Sequence, residues 1–176
     1  MSVPDPHIPV SSALEALHAA GCDHVVTVPD WVQLALHVRL ESAAVGLKVV
    51  PCCSENQAVT VAAGLTVGGR RPVVVVQNQG FYNCVNTVRA VALDAHVPLV
   101  FMIGQFGREF GNFGGEPSAS RRNMVRLLEP VLGALGVPHF RLESPADLVH
   151  VCAAFERAHA ERTAVALLVG APMAWR

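Results

Sequence analysis

Four consecutive valines, Val73 to Val76, place the strongest constraint on what this chain can fold into. They follow Pro72 and the pair Gly68-Gly69, so the run is short and is bounded by a turn signal. A strand that is apolar on both faces belongs in the middle of a parallel sheet that helices cover on either side. Parallel neighbours are joined by crossover helices, so the run predicts a chain in which strands and helices alternate.

The rest of the sequence fits that alternation. Short apolar runs predict six strands, at 24–28, 47–52, 72–76, 98–103, 139–142 and 163–169. Helical patterns predict six helices, at 11–20, 31–41, 55–67, 83–95, 120–135 and 145–159, with N-caps at Ser11 or Ser12, Ser54 and Ser144. The expected fold is α/β, an open, mostly parallel six-stranded sheet with helices on both faces. We expect a single domain over residues 1–176.

Composition argues against several functional classes. Lys and Arg number 13 against 14 Asp and Glu, a net charge of -1, so we expect no nucleic-acid partner. The longest apolar candidate, 163–175, is too short to cross a membrane, and there is no signal-peptide pattern, so we expect a cytoplasmic protein without a membrane partner. The odd cysteine count and the absence of zinc-ligand spacing among the histidines predict no metal site on this chain.

Charged residues are scarce. They make up 15% of the chain, against about 25% in an average soluble domain, while 52% of the residues are hydrophobic. A surface with so few charges predicts that another chain covers part of it.

Polar side chains follow the predicted strands at their carboxyl ends, where open α/β sheets bind ligands. Asp30 follows the first strand and Glu55 follows the second. The valine strand is followed by a cluster of amides, Gln77, Asn78, Gln79, Asn83 and Asn86. The Gly/Phe-rich segment 104–115 follows the fourth strand and is either an ordering lid or a loop that packs against a partner.

Each of the two acids has a structural and a functional interpretation. Glu55 is in the first turn of a predicted helix, where a negative charge is favourable by up to about 1 kcal/mol. Alternatively, it faces the cleft and exchanges a proton with a bound ligand. Asp30 is either a helix N-cap or a second acid that faces the same cleft.

Three segments together resemble a known family. They are Val25-Val-Thr-Val-Pro-Asp30, Ser54-Glu55-Asn-Gln-Ala58-Val-Thr-Val-Ala62-Ala63-Gly64, and Arg71-Pro72-Val-Val-Val-Val-Gln77-Asn78-Gln79-Gly80. This pattern resembles the pyrimidine-binding domain of thiamine-diphosphate-dependent 2-oxoacid decarboxylases, and more narrowly the sulfopyruvate and phosphonopyruvate decarboxylase group. The resemblance extends from about residue 10 to the end of the chain.

The resemblance implies an enzyme made of two chains. In the family, a second domain holds Mg²⁺ and the cofactor's diphosphate through a Gly-Asp-Gly motif, which this sequence lacks. The chain therefore resembles an α subunit that acts on a small 2-oxoacid only together with a β subunit, in a hetero-oligomer. Thiamine diphosphate would lie at the interface, and the β subunit would hold the Mg²⁺.

The resemblance also implies roles for individual residues. Glu55 would be the catalytic acid that hydrogen-bonds the aminopyrimidine ring and exchanges a proton with it. Asp30 would relay protons to the reacting group or contact the substrate. Cofactor contacts are implied for Pro29, Glu55, Asn78, Gln79 and Gly80, and substrate contacts for Gln79, Phe81 and Arg108.

The substrate and the reaction stay open at this point. A sulfonate or phosphonate requires cationic donors, for which Arg108, Arg121 and Arg122 are the candidates near segment 104–115. Trp31 stands where the group usually has a small polar residue, so an aromatic or apolar 2-oxoacid is the alternative. Two other functions are a carboligase subunit with the same cofactor and a non-catalytic structural or regulatory subunit.

Overall fold

The computed structural model describes residues 7–42 and 45–176. Its strands are β1 (His24–Thr27), β2 (Lys48–Pro51), β3 (Pro72–Gln77), β4 (Leu99–Gly104), β5 (His139–Leu142) and β6 (Ala164–Val169). They form one sheet in the order β2-β1-β3-β4-β6-β5, with every strand pair parallel. The expected open six-stranded sheet is confirmed. The predicted domain span 1–176 includes residues 1–6 and 43–44, which lie outside the described residues, and it stays a prediction.

The described part of the chain contains α1 (Val10–Ala19), α2 (Leu34–Leu40), α3 (Glu55–Val67), α4 (Asn78–Val88), α5 (Asn123–Arg126), α6 (Leu128–Leu135) and α7 (Val149–Glu161). A π-helical segment, Arg89–Asp94, continues α4, and 3-10 turns cover Phe110–Asn112, Pro117–Ala119 and Pro145–Leu148. Helices α1, α2 and α7 cover one face of the sheet, and α3, α4 and α6 cover the other. Within these residues, no helix has the length and apolar character needed to cross a bilayer.

The valine strand β3 lies in the middle of the sheet, as its composition predicts. It pairs with β1 on one side and with β4 on the other. Val73 and Val75 point into the core beneath α1, α2 and α7, whereas Val74 and Val76 point into the opposite core. Burying one such side chain stabilises the fold by roughly 1.5–3 kcal/mol.

The chain connections open a crevice between the carboxyl ends of β1 and β3. From β1 the chain continues through α2, on one face of the sheet, to β2. From β3 it continues through α4, on the opposite face, to β4. The segments that follow these two neighbouring strands therefore diverge, and open α/β sheets bind ligands at such a point.

Helix α4 begins at Asn78, earlier than its predicted start at residue 83. Gln77 precedes it with extended backbone, and the Asn78 side chain accepts a hydrogen bond from the Gln79 N–H at 2.9 Å. The amide-rich segment predicted as a loop is therefore the first turn of a helix. Gly80 weakens the helical pattern in the sequence, because glycine is an unfavourable residue in helices.

The predicted helix 120–135 is divided into α5 and α6, and Ser120 and Arg122 have extended backbone. Pro130 accounts for the division. It has no N–H to donate to the carbonyl of Arg126, one helical turn earlier, so a continuous helix would lose a hydrogen bond there.

The predicted helix starts differ in accuracy. Helix α1 begins at Val10 after Pro9, and the two serines proposed as caps lie inside its first turn. Ser54 caps α3 as predicted, and its hydroxyl accepts the Gln57 N–H at 3.3 Å. Ser144 also forms a cap, but it precedes a 3-10 turn that leads into α7.

Candidate active site

A cleft of about 760 Å³ opens at the carboxyl ends of β1, β3 and β4. It is lined by Pro29, Asp30, Trp31, Leu34, Gln77, Gln79 and Phe106. These residues come from the segment after β1, from α2, from the junction of β3 with α4, and from the segment after β4. The cleft therefore occupies the crevice that the chain connections create.

Asp30 is the acid of this cleft, and it is almost completely buried, with 2% of its surface exposed. One carboxylate oxygen accepts the Val32 N–H at 3.0 Å, and the other accepts a hydrogen bond from the Gln33 amide at 2.8 Å. The bond to the Val32 N–H closes a turn after β1. Helix α2 begins only at Leu34, with Gln33 at its N-cap position, so Asp30 does not cap that helix. Burial raises the pKa of the Asp30 carboxyl to about 6, although both hydrogen bonds favour the charged form.

Two residues that sequence reasoning missed hold Asp30 in place. Gln33 is fully buried, and its amide nitrogen also lies within hydrogen-bond distance of the carbonyls of Val76 and Met102. His37 accepts the Asp30 N–H on Nε2 at 2.9 Å, so that nitrogen is unprotonated. Burial lowers the pKa of His37 to about 4, which keeps the ring neutral. In the sequence, the only signal for these two residues is their position after Asp30, with Gln33 just before α2 and His37 within it.

Gly104 leaves the space that Asp30 occupies. A Cβ at this position would lie 1.9 Å from the nearer Asp30 carboxylate oxygen and 2.8 Å from the Cβ of Val32. Real Cβ atoms do not come that close, so only glycine at the end of β4 permits the carboxylate to lie there.

Glu55 lies at the start of α3, directly after the Ser54 cap, and is half-buried. Its Oε2 accepts a hydrogen bond from the Asn83 amide at 3.1 Å. A Cβ on Gly80 would lie 2.4 Å from Glu55 Oε1, so this glycine lets the carboxylate lie directly against the first turn of α4. Burial, with a smaller contribution from the nearby Glu55 charge, raises the pKa of the Cys84 thiol to about 12. Cys84 is therefore not a nucleophile near neutral pH.

The structure separates the other residues expected to contact the cofactor. Pro29 and Gln79 line the cleft. Gly80 is buried against Glu55. Asn78 is fully buried, and its amide donates to the carbonyls of Phe106 and Met124 at 3.0 and 2.8 Å. It ties the start of α4 to the segments beside it, which makes it a support for the site.

Phe81, which was expected to contact the substrate, does not line the cleft. Phe81 is fully buried and packs edge-on against Phe101, with ring centroids 5.6 Å apart. The early start of α4 causes this, because residue 81 then faces the sheet instead of lying in a loop.

Arg108, which was also expected to contact the substrate, does not line the cleft either. Its side chain is 1% exposed and forms an ion pair with Glu143. The other guanidinium N–H groups donate to the Gln105 and Asn112 side chains and to the carbonyls of Asn112 and Gly115. All five guanidinium donors are therefore used within the chain, and Arg108 anchors the segment 104–115 to the end of β5.

A cleft at the carboxyl ends of an open parallel α/β sheet is where domains of this architecture bind ligands. Residues 11–119 match the family described as thiamine pyrophosphate enzyme, N-terminal TPP binding domain. The chain belongs to this family, which confirms the resemblance identified in the sequence and the expected cofactor.

Two curated relatives carry the same name. The chain is 29% identical over 137 residues to sulfopyruvate decarboxylase subunit alpha of Methanothermobacter thermautotrophicus, covering 76% of this chain and 79% of the relative. It is 22% identical over 138 residues to the protein of that name from Methanococcus maripaludis, with the same coverage.

Solved structures of larger enzymes share the fold. A 2-oxoglutarate:ferredoxin oxidoreductase from Magnetococcus marinus superposes with a TM-score of 0.66 at 12% identity, over 95% of this chain. A thiamine diphosphate-dependent 4-hydroxybenzoylformate decarboxylase from Rhodococcus jostii superposes with a TM-score of 0.65 at 18% identity, over 93% of this chain. This chain spans 31% of the length of each of those chains.

Proposed function

We propose that this chain is the α subunit of a thiamine-diphosphate-dependent 2-oxoacid decarboxylase, and that Glu55 is the residue that activates the cofactor. The main observation is the position of the Glu55 carboxylate. It lies against Gly80, where the first turns of α3 and α4 are in contact. Family membership and two relatives named as decarboxylase α subunits support the proposal.

The residues present fit the cofactor. A half-buried carboxylate can hydrogen-bond a ring nitrogen and exchange a proton with it, and Gly80 keeps α4 free of a side chain beside that carboxylate. When bound, thiamine diphosphate supplies the carbon nucleophile and the electron sink that a decarboxylation requires. Glu55 holds and moves the proton at the pyrimidine, and the Asn83 amide keeps the carboxylate oriented toward α4.

Asp30 and the amides act on the substrate side of the site. Asp30 lies in the cleft with its pKa raised to about 6 by burial, so it can hold a proton near neutral pH and return it to the reacting carbon. Gln79 and Pro29 line the same cleft and position the ligand there.

The partner in this proposal is a β subunit that carries the diphosphate-binding domain and holds Mg²⁺. The relatives are named as α subunits, which implies a second subunit in those enzymes. Among residues 7–42 and 45–176, no three His, Cys, Asp or Glu side chains converge as they would around a metal ion. The scarcity of charge on the chain supports a large interface in a hetero-oligomer.

The test is Glu55→Gln in the complex co-purified with its β subunit. Glutamine keeps the shape but cannot exchange the proton, so we expect kcat to fall by about 100-fold or more. Glu15→Gln, at an exposed acid on α1, is the matched control and should leave kcat unchanged. Calorimetry with thiamine diphosphate and size-exclusion chromatography establish that binding and assembly are intact.

Unchanged turnover of the Glu55→Gln complex would leave Glu55 with a helix-start role only. Product analysis separates the two reactions of this cofactor. Both reactions release CO₂. A decarboxylase then releases an aldehyde, whereas a carboligase joins the remaining carbon unit to the carbonyl carbon of a second aldehyde or 2-oxoacid.

A further inference from the structure

We propose that the cleft at the ends of β1, β3 and β4 selects a 2-oxoacid with an uncharged, apolar side chain, in preference to one that carries a second anionic group. This inference rests on the proposed function, since it names the substrate class of the same site. It departs from the relatives, whose name specifies sulfopyruvate, a substrate with a sulfonate.

The walls of the cleft are apolar and come from three different segments. Trp31 follows β1, Leu34 begins α2, and Phe106 follows β4. Trp31 is 68% exposed and Phe106 is 36% exposed, so both rings present apolar surface toward the opening. Contact between an aromatic ring and an apolar group of the ligand removes apolar surface of both from water, and this stabilises the complex.

The polar groups in the cleft are suited to one end of a 2-oxoacid. Gln77 and Gln79 carry neutral amides, which can bind a carboxylate or a carbonyl without a charge of their own. The lining therefore combines an apolar wall with neutral hydrogen-bonding groups for one end of the ligand.

None of the three candidate arginines, Arg108, Arg121 and Arg122, is among the residues that line the cleft. Arg108 is committed to Glu143 and to acceptors in the segment 104–115. Arg121 lines a separate depression of about 310 Å³ together with Glu109 and Asn112, and its backbone N–H donates to the Glu109 carboxylate at 2.8 Å. A sulfonate or phosphonate is recognised by fixed cationic donors, and the seven residues that line the cleft provide none.

The volume of the cleft is that of a site for small molecules. Pockets for small molecules typically measure roughly 300–1,000 Å³, and this cleft measures about 760 Å³ before a partner covers it. A branched aliphatic or phenyl side chain placed against Trp31 would fill the apolar part.

The experiment compares substrates on the complex of this chain with its β subunit, thiamine diphosphate and Mg²⁺. We expect kcat/KM for 4-methyl-2-oxopentanoate or phenylpyruvate to exceed that for sulfopyruvate and oxaloacetate by about 10-fold or more, since a buried apolar group contributes 1–3 kcal/mol to discrimination. Trp31→Ala should lower kcat/KM for the apolar substrates by about 10-fold while leaving pyruvate less affected. Val67→Ala, at an apolar side chain that is 78% exposed and does not line the cleft, is the control.

A binding measurement makes the test independent of turnover. The chain has two tryptophans, so in Trp175→Phe its remaining tryptophan is Trp31. We expect 4-methyl-2-oxopentanoate to change the fluorescence of that complex at lower concentration than sulfopyruvate. We expect a smaller change in Trp31→Phe, whose remaining tryptophan, Trp175, does not line the cleft.

The outcomes separate the two proposals. A preference for sulfopyruvate that Trp31→Ala leaves unchanged would overturn the substrate class, while decarboxylation itself would still support the proposed function. If no 2-oxoacid is decarboxylated, the proposed function fails, and tighter binding of sulfopyruvate in the fluorescence titration would overturn the substrate class as well.

Discussion

The two acids of the site lie at the ends of neighbouring strands, yet the protein treats them differently. Asp30 is enclosed by this chain, with both carboxylate oxygens bonded and its backbone held by His37. Glu55 is half-buried and has one side-chain partner, Asn83. Each lies against a glycine, Gly104 for Asp30 and Gly80 for Glu55.

The difference shows which part of the site is complete within one chain. The surroundings of Asp30 within this chain already set its orientation and raise its pKa to about 6. Glu55 is positioned by α3 and α4 but stays open on one side, where our proposal places the cofactor and the β subunit. The four predictions below test this contrast, from the largest expected effect to the smallest.

Gly80→Ala should remove activity while preserving stability. The three atoms nearest to the new Cβ all belong to the flexible Glu55 side chain, which can rotate away from α4. We therefore expect kcat to fall by about 100-fold, as for loss of a general acid, with an unfolding free energy within about 1 kcal/mol of wild type. Gly133→Ala, on α6 with open space around it, is the control and should leave kcat unchanged. A fully active Gly80→Ala complex would contradict the assigned position of Glu55.

Gly104→Ala, unlike Gly80→Ala, should strongly lower the free energy of unfolding. Its new Cβ would meet the Asp30 carboxylate and the Cβ of Val32, and Gln33 holds that carboxylate from the other side. Overpacking of this kind costs about 1–3 kcal/mol and occasionally more. We expect a loss of about 3 kcal/mol in urea unfolding. A loss no larger than that of Gly80→Ala would show that Asp30 is as free to move as Glu55.

Asp30→Asn should remove the loss of folding stability that the ionised Asp30 carboxylate causes as pH rises. The folded pKa of about 6 is above the ordinary value of 3.8, so the carboxyl's contribution to stability is complete below pH 3.8 and is lost as pH rises through 6. A shift of about two units corresponds to roughly 2–3 kcal/mol. The melting temperature of Asp30→Asn, relative to wild type, should increase between pH 4 and pH 7. A difference that does not change with pH would contradict the raised pKa.

His37→Gln should change acid sensitivity in the opposite direction. The folded pKa of His37, lowered by burial to about 4, means that its stabilising contribution is present above pH 6.5 and is lost as pH falls toward 4. Glutamine can still accept the Asp30 N–H but does not titrate there. Since His37 is partly exposed, we expect wild type to lose only about 1–2 kcal/mol more than the variant between pH 6.5 and 4. Parallel pH–stability curves for the two proteins would exclude this role.

Much of the site could be predicted from local sequence signals. The Ser54 cap and the helix 55–67 were predicted with the bounds that the structure shows, and they place Glu55 at the end of β2. Asp30 was likewise predicted at the end of β1, where it lines the cleft. In both cases a short apolar strand followed by a capping or acidic residue is a pattern of adjacent residues, which sequence reasoning can detect.

Sequence reasoning was least informative where distant residues decide what surrounds a side chain. Phe81 was expected in a loop that contacts the substrate. Because α4 begins at Asn78, Phe81 lies within that helix and its side chain points into the core. Arg108 was expected to bind the substrate, but its acceptors come from Glu143 and Gly115. Gln33 was missed because its bonds to Val76 and Met102 join elements far apart in the chain.

The sequence by itself determined the alternation of strands and helices, the central position of the valine strand and the two acids at the strand ends, because these depend on hydrophobic period and on neighbouring residues. Tertiary structure alone decided which polar groups are free to meet a ligand. A side chain's hydrogen-bonding groups are committed or free according to what folding brings beside them, as Glu143 beside Arg108 and Gly104 beside Asp30 show.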